Sequence, residues 1–328
     1  MERALLESLK FLCARDILQV APVCKLWQSL CSRDELWLHF LGTSRNLLRL
    51  QLSPPPSLRA AYRLALVAFT VVPREKTLRV YYPATRKWRI THLQAEWKEG
   101  FGMVSLGNSE LFCCGGEDSA RDTFKVSLVT GRIQVLPPMS PHKTLTGLCV
   151  LHTCVYSLCG RLKNELTSLC ARFDLLTCQW EALPPALHVR QCFTPSVYQG
   201  LIYIPGGCSS TVETFDPVSM QFQTLVEDCG LSGPVDSIIW QDKLHVLNLH
   251  GCFVWDLERK TSEFIERNET YYLGTSCFPP ICRDRKAIFV WHAGNRSMAY
   301  EMDLETLEYS AIRFQKARTV RKRKRQSY

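Results

Sequence analysis

From about residue 64 onward the chain repeats itself every 42 to 47 residues, and no other feature limits the fold as tightly. A residue that ends a strand is followed six positions later by an aromatic or aliphatic one: Tyr82 and Trp88, Ser127 and Ile133, Asp174 and Trp180, Asp216 and Phe222, Asp303 and Tyr309. In the fifth unit the spacing stretches, from Asp256 to Phe264. The second members lie 45, 47, 42, 42 and 45 residues apart. A second landmark is an apolar strand running into glycine, as in Leu111 to Gly116, Val155 to Gly160 and Leu201 to Gly207. Pairs that suit tight hairpins precede such strands: Gly107-Asn108, Gln199-Gly200 and Gln241-Asp242.

Each unit therefore holds about four short strands, and a period near 45 residues with four strands is that of a β-propeller blade. Six units begin near residues 64, 98, 143, 190, 232 and 270. The expected fold class is a small all-α module followed by an all-β propeller of six blades.

Residues 1–41 follow a different pattern. Leu5, Leu9 and Leu12 recur at helical spacing, with Leu6 widening the stripe. Asp16 suits the cap of a second segment carrying Ile17, Leu18 and Val20, and Pro22 suits the first turn of a third. The third helix would present Val23, Cys24, Trp27 and Leu30, and Leu36-Trp37 follow on a final turn. So short a module cannot bury that much apolar surface alone, so it requires a partner, whether its own body or another protein. Residues 42–63 form a connector, with Pro54-Pro55-Pro56 extended and stiff and a short helix after Ser57. The propeller is expected over 64–315 and a basic tail over 316–328.

The net charge of +9 belongs to that tail: residues 311–328 carry eight Lys or Arg and no acid, leaving +1 elsewhere. A nearly neutral body does not imply a general nucleic-acid-binding surface. Within the tail, Arg321, Lys322, Arg323, Lys324 and Arg325 suit nuclear import, weak contact with a nucleic-acid phosphate backbone, or plain solvated disorder. Sixteen cysteines sit mostly in apolar strand-like runs, with no CxxC pair, so they are expected to be small hydrophobes rather than zinc ligands or disulfides. The chain opens without a signal-like apolar core. The expectation is an intracellular protein of cytoplasm, nucleus or both.

The helical residues resemble a known family. Leu5-Leu6, Leu9, Phe11-Leu12, Ala14 to Leu18, Val23-Cys24-Lys25-Leu26-Trp27 and Leu36-Trp37 look like an F-box, with departures at Met1-Glu2, Ser8 and Cys13. The resemblance implies docking to the Skp adaptor of SCF-type cullin–RING ubiquitin ligases through Leu5, Leu9, Leu12, Leu18, Val23, Cys24, Trp27 and Trp37. The body resembles Kelch repeats, most fully in Glu213-Thr214-Phe215-Asp216-Pro217 with Phe222. Trp255-Asp256 instead hints at a WD repeat.

In such a blade the links from strand 2 to strand 3, and from strand 4 to the next strand 1, emerge on one face. That face is expected to receive Arg121, Arg161, His250 and Arg296, and the links between blades add Lys98, Lys143 and Arg190. The last three share one register, so they are expected either to converge on an acidic or phosphorylated protein segment or to brace neighbouring loops. No catalytic motif, cofactor site or metal site is recognisable, and the chemistry of an F-box protein resides in its partners. The implied function is a non-catalytic substrate-recognition subunit of a ubiquitin ligase. The alternative is a Kelch interaction scaffold whose F-box no longer engages the adaptor.

Overall fold

Asp216 shows how one side chain sets a whole unit. Its Oδ1 accepts the Val218 amide at 2.9 Å and its Oδ2 accepts the Ser219 hydroxyl at 2.8 Å, closing a turn after which the chain runs back antiparallel. Asp174, Asp256 and Asp303 do the same with the amides of Leu176, Glu258 and Glu305. Ser127 does it with Thr130. The backbone N–H groups hold the Asp174, Asp216 and Asp256 carboxyls below their ordinary range. The turn places the next aromatic opposite the residue before the cap: Tyr81 pairs with Trp88, Phe173 with Trp180 and Phe215 with Phe222. Ring centroids are 5.0, 5.2 and 4.5 Å apart in these three pairs.

The computed structural model describes residues 68–312, apart from 73–76, 83–86, 94–99, 107–109, 117–122, 129, 249–250, 267–279, 284 and 294–295. The helical module, the connector and the basic tail lie outside the described residues. The first sheet has three strands, β1 (Ala68–Val72), β2 (Thr77–Tyr82) and β3 (Lys87–His92). Five four-stranded antiparallel sheets follow in chain order. They are β4 (Phe101–Leu106), β5 (Glu110–Gly115), β6 (Thr123–Ser127) and β7 (Ile133–Leu136); then β8 (Gly147–Leu151), β9 (Cys154–Leu162), β10 (Glu165–Asp174) and β11 (Gln179–Leu183). Next come β12 (Ser196–Tyr198), β13 (Leu201–Pro205), β14 (Val212–Asp216) and β15 (Gln221–Val226). The last two sheets are β16 (Asp236–Trp240), β17 (Lys243–Leu247), β18 (Gly251–Asp256) and β19 (Thr261–Glu266), and β20 (Ile281–Arg283), β21 (Lys286–Ala293), β22 (Arg296–Asp303) and β23 (Tyr309–Ile312).

Two of the hairpin pairs expected from sequence have the required backbone, and the third, Gly107-Asn108, lies outside the described residues. Gln199-Gly200 and Gln241-Asp242 each combine two positive φ values, the signature of a type I′ turn. The stretched spacing of the fifth unit is not a longer turn. Asp256 pairs with Thr261 as Asp216 pairs with Gln221, but Ser262 stands where Phe222 would be and the aromatic of that pair is Trp255. Trp255-Asp256 is thus an aromatic before a turn cap.

The core lies between sheets. Leu78 and Val80 pack with Phe101 and Met103; Phe112 and Cys114 pack with Leu148, Val155 and Phe173. Leu158 and Cys170 share a cluster with Ile202, Ile204, Val246 and Phe253, and Leu247 and Cys252 share one with Phe289 and Met302. Ile288, Val290 and Ala299 of the last sheet then pack with Tyr81 of the first. Each sheet packs on the next and the last on the first, which is the arrangement of a β-propeller. The twelve described cysteines are free thiols and eight of them are buried. Burial pushes the Cys114 thiol up to about 12 and Cys192 to about 11, so these thiols stay protonated.

The glycines after the second strands are required by close approach. Gly115 has φ +83°, and a Cβ there would stand 2.2 Å from the Lys143 carbonyl oxygen. A Cβ on Gly206 would stand 2.5 Å from Val235. In both cases the link to the following blade passes across the strand end, where any side chain would collide with it.

Candidate partner-binding face

The third sheet carries the most developed face. The Lys163-Asn164 turn between β9 and β10 and the link 184–195 between β11 and β12 emerge at the same end. β9 and β10 are nine and ten residues long, against five and five for β13 and β14. Gly147, at the top of the inner strand, pairs with Leu158, so the hairpin continues beyond the blade to Lys163 and Asn164. These two residues have φ of 49° and 68°, a tight type I′ turn. Across it Arg161 donates from Nε and Nη2 to the Asn164 carbonyl oxygen, at 3.1 and 2.5 Å. β21 and β22 of the last sheet form a second long hairpin, eight residues a side, with Arg296 opposite Ala293 near its turn.

The link 184–195 lies against the third-sheet hairpin. The Ala186 amide donates to the Ser168 carbonyl oxygen at 2.9 Å, and the Gly160 amide donates to the Arg190 carbonyl oxygen at 2.8 Å. Between them the Cys159 thiol donates to the His188 carbonyl oxygen at 3.6 Å. Along the link, which bends at Leu187 and His188, Ala186 and Arg190 are turned inward.

Lys143 and Arg190 do not offer free charges, and the expectation of a cationic ring open to a partner is corrected for both. Their exposures are 1% and 0%. Lys143 donates from Nζ to the carbonyl oxygens of Leu169 at 2.7 Å and Ser157 at 3.2 Å. Arg190 donates from Nη1 to the carbonyl oxygens of Gly206 and Thr211, and from Nη2 to the Thr211 hydroxyl. A 2.7 Å ion pair joins Nη2 to Glu213, which is itself fully buried. The physical reason is shared. Each cation sits in the link entering a blade and reaches into that blade's second and third strands, so it ties link to blade. The shared register expresses bracing, the second of the two readings open from sequence. Lys98, Arg121 and His250, like the eight expected adaptor-binding residues and the tail cluster, lie outside the described residues.

Two titratable neighbours complete the brace. His188 Nδ1 lies 2.7 Å from Glu213 Oε1 while its ring stays 40% exposed. Around Lys143, a hydrogen bond from the Cys159 thiol, aided by the ammonium, pulls the Cys170 thiol down to about 7 against the opposing effect of burial. Burial in turn lowers Lys143 itself.

What the sequence reading missed on this face is apolar. Leu166 and Leu169 on the hairpin are each 38% exposed, and Leu187 and Val189 on the link are 54% and 42% exposed. Leucines beside strands read as core, so only their phase could have marked them: Leu187 and Val189 alternate with inward-turned Ala186 and Arg190.

The comparisons agree with this architecture. Residues 4–42 match the F-box-like family. An F-box/kelch-repeat protein of Arabidopsis thaliana is 26% identical over 133 residues, covering 38% of this chain and 35% of that protein. A second F-box/kelch-repeat protein of the same plant is 22% identical over 153 residues, covering 45% of this chain and 40% of that one. The chain thus spans well under half the length of these curated relatives. With the sheet packing and the repeated turn caps, these matches support an F-box-like motif joined to a Kelch-type β-propeller.

Proposed function

We propose that this protein is the substrate-recognition subunit of an SCF-type cullin–RING E3 ubiquitin ligase. The observation that carries the reading is the union of an F-box-like match at residues 4–42 with a propeller whose links are braced from beneath. The F-box would meet the Skp-type adaptor through Leu5, Leu9, Leu12, Leu18, Val23, Cys24, Trp27 and Trp37. The propeller would hold the protein to be ubiquitinated. Such a subunit contributes no catalytic group; it raises the effective concentration of target lysines at the catalytic partners. The three-stranded first sheet counts as a sixth blade in this reading, because it packs between its two neighbours as the four-stranded ones do. The basic tail would serve nuclear import.

Calorimetric titration of the full chain with a purified Skp-type adaptor tests the proposal. Saturable binding is expected, with Trp27→Ala weakening it about a hundredfold, as for a buried aromatic anchor. No binding by the intact chain would favour the scaffold alternative, to which the departures at Met1-Glu2, Ser8 and Cys13 already point. A reporter fused to residues 311–328 that stays cytoplasmic would remove the import role.

A further inference from the structure

Four of the nine exposed large hydrophobic residues among the described ones gather at one place, the third-sheet hairpin and the link zipped to it. The other five are spread over outer strands and opposite-end turns, Leu176 and Val218 among them. Along the link the pattern of burial is the reverse of that expected at a solvent-facing surface. The arginine is turned in to Glu213, and the aliphatic residues are turned out. The segment that carries them is held rigidly by the Ala186, His188 and Arg190 backbone bonds and by the 3.0 Å bond from the Leu187 amide to Glu213 Oε2. Ordering this surface therefore costs little when a partner arrives. Among the described residues of the hairpin and link the rim is basic: Lys163 at the exposed turn and Arg161 beside it outnumber the carboxylate of Glu165, and Glu213 is neutralised from beneath by Arg190.

We propose that Leu166, Leu169, Leu187 and Val189 seat an extended segment of a partner protein that sets two aliphatic side chains beside a carboxylate, the carboxylate meeting Lys163 and Arg161. This deepens the substrate-receptor reading and rests on it, naming the chemistry the receptor selects. A nucleic acid does not fit, since aliphatic side chains would displace the phosphate-contacting cations such a ligand needs. An apolar centre with a charged rim is the anatomy of a protein interface.

The test is to pan a displayed library of random twelve-residue peptides on the full chain bound to its Skp-type adaptor, then measure selected peptides by fluorescence anisotropy. Enriched peptides should carry two Leu, Ile or Val positions next to Asp or Glu. The triple change Leu166→Ser, Leu187→Ser and Val189→Ser should weaken them about tenfold or more. Lys163→Glu should shift selection away from acidic peptides. All these positions are solvent-facing, so thermal unfolding checks that each variant keeps its fold. Absence of enrichment, peptides lacking the aliphatic–acidic pattern, or affinity indifferent to the variants would overturn the proposal. So would a patch-dependent dimer of the chain in light scattering, which would make a second copy the occupant. Adaptor binding measured on the same samples keeps the two claims apart: its loss would defeat the receptor reading, its retention with failed panning only this one.

Discussion

Arg190 and Lys143 stand at the same point of successive inter-blade links, yet the protein completes their hydrogen bonding with different chemistry. Arg190 meets a buried carboxylate, a threonine hydroxyl and two carbonyl oxygens. Lys143 meets two carbonyl oxygens, with the thiols of Cys159 and Cys170 nearby and no carboxylate paired with it among the described residues. The cause is visible in the third strands. Glu213 precedes Phe215 by two residues, and the matching residue before Phe173 is Ala171. A bulge between Thr167 and Cys170 accompanies the change and puts the Leu169 carbonyl oxygen in reach of the ammonium. One brace is a compensated ion pair, and the other is a burdened cation.

The largest difference should come from cutting the ion pair. Glu213→Ala leaves Arg190 buried without its counter-charge and should cost about 3–5 kcal/mol in denaturant unfolding. A Glu213→Leu, Arg190→Met double variant should recover much of that. Additive losses would show that the two side chains act independently and that Glu213 does not compensate Arg190.

His245 extends the comparison to a buried base whose ring nitrogens meet no hydrogen-bonding group among the described residues. Burial, with a smaller contribution from Lys243, pushes it down to about 4 from 6.5. Between those values the unfolded chain binds a proton that the folded one refuses, so stability falls as pH drops through that window. The loss should reach about 3 kcal/mol by pH 4, and His245→Leu should flatten it relative to the parent.

Cys170 tests the Lys143 side. Its thiol is drawn down to about 7 from 9.0, so between pH 7 and 9 the folded state has shed a proton that the unfolded state keeps. Stability should rise with pH across that interval by about 1–2 kcal/mol and lose that slope in Cys170→Ser. A parent protein with no slope there would mean that neither the Cys159 hydrogen bond nor the Lys143 ammonium favours the thiolate.

The smallest effect is expected at Lys143 itself. Lys143→Met removes a desolvated cation and leaves only carbonyl oxygens to rehydrate, so the change should stay within about 1 kcal/mol of neutral. A loss as large as that of Glu213→Ala would erase the distinction between the two braces.

The sheets were largely legible because their signals are local. A turn-capping aspartate and an aromatic six residues on report one hairpin, and both lie in a single short window, as Asp174 and Trp180 do. The burial of Arg190 was not legible, since its carboxylate lies 23 residues away on another strand. Three cations at one register look alike whether they face solvent or carbonyl oxygens. Leu187 and Val189 escaped for a related reason: the phase of a link depends on which hairpin it lies against, and that is a tertiary fact. The expected unit starts near 143 and 190 precede the inner strands, which begin at Gly147 and Ser196, because the links themselves are ordered against the blades.

The central claim is that adaptor and target occupy separate parts of one chain, the first on the F-box-like residues and the second on the propeller face. Amide hydrogen exchange of the full chain with and without a Skp-type adaptor tests it most directly. The account predicts new protection confined to residues 4–42, with the 159–169 hairpin and the 186–190 link exchanging as before. Protection on that hairpin and link instead, or none within 4–42, would contradict it.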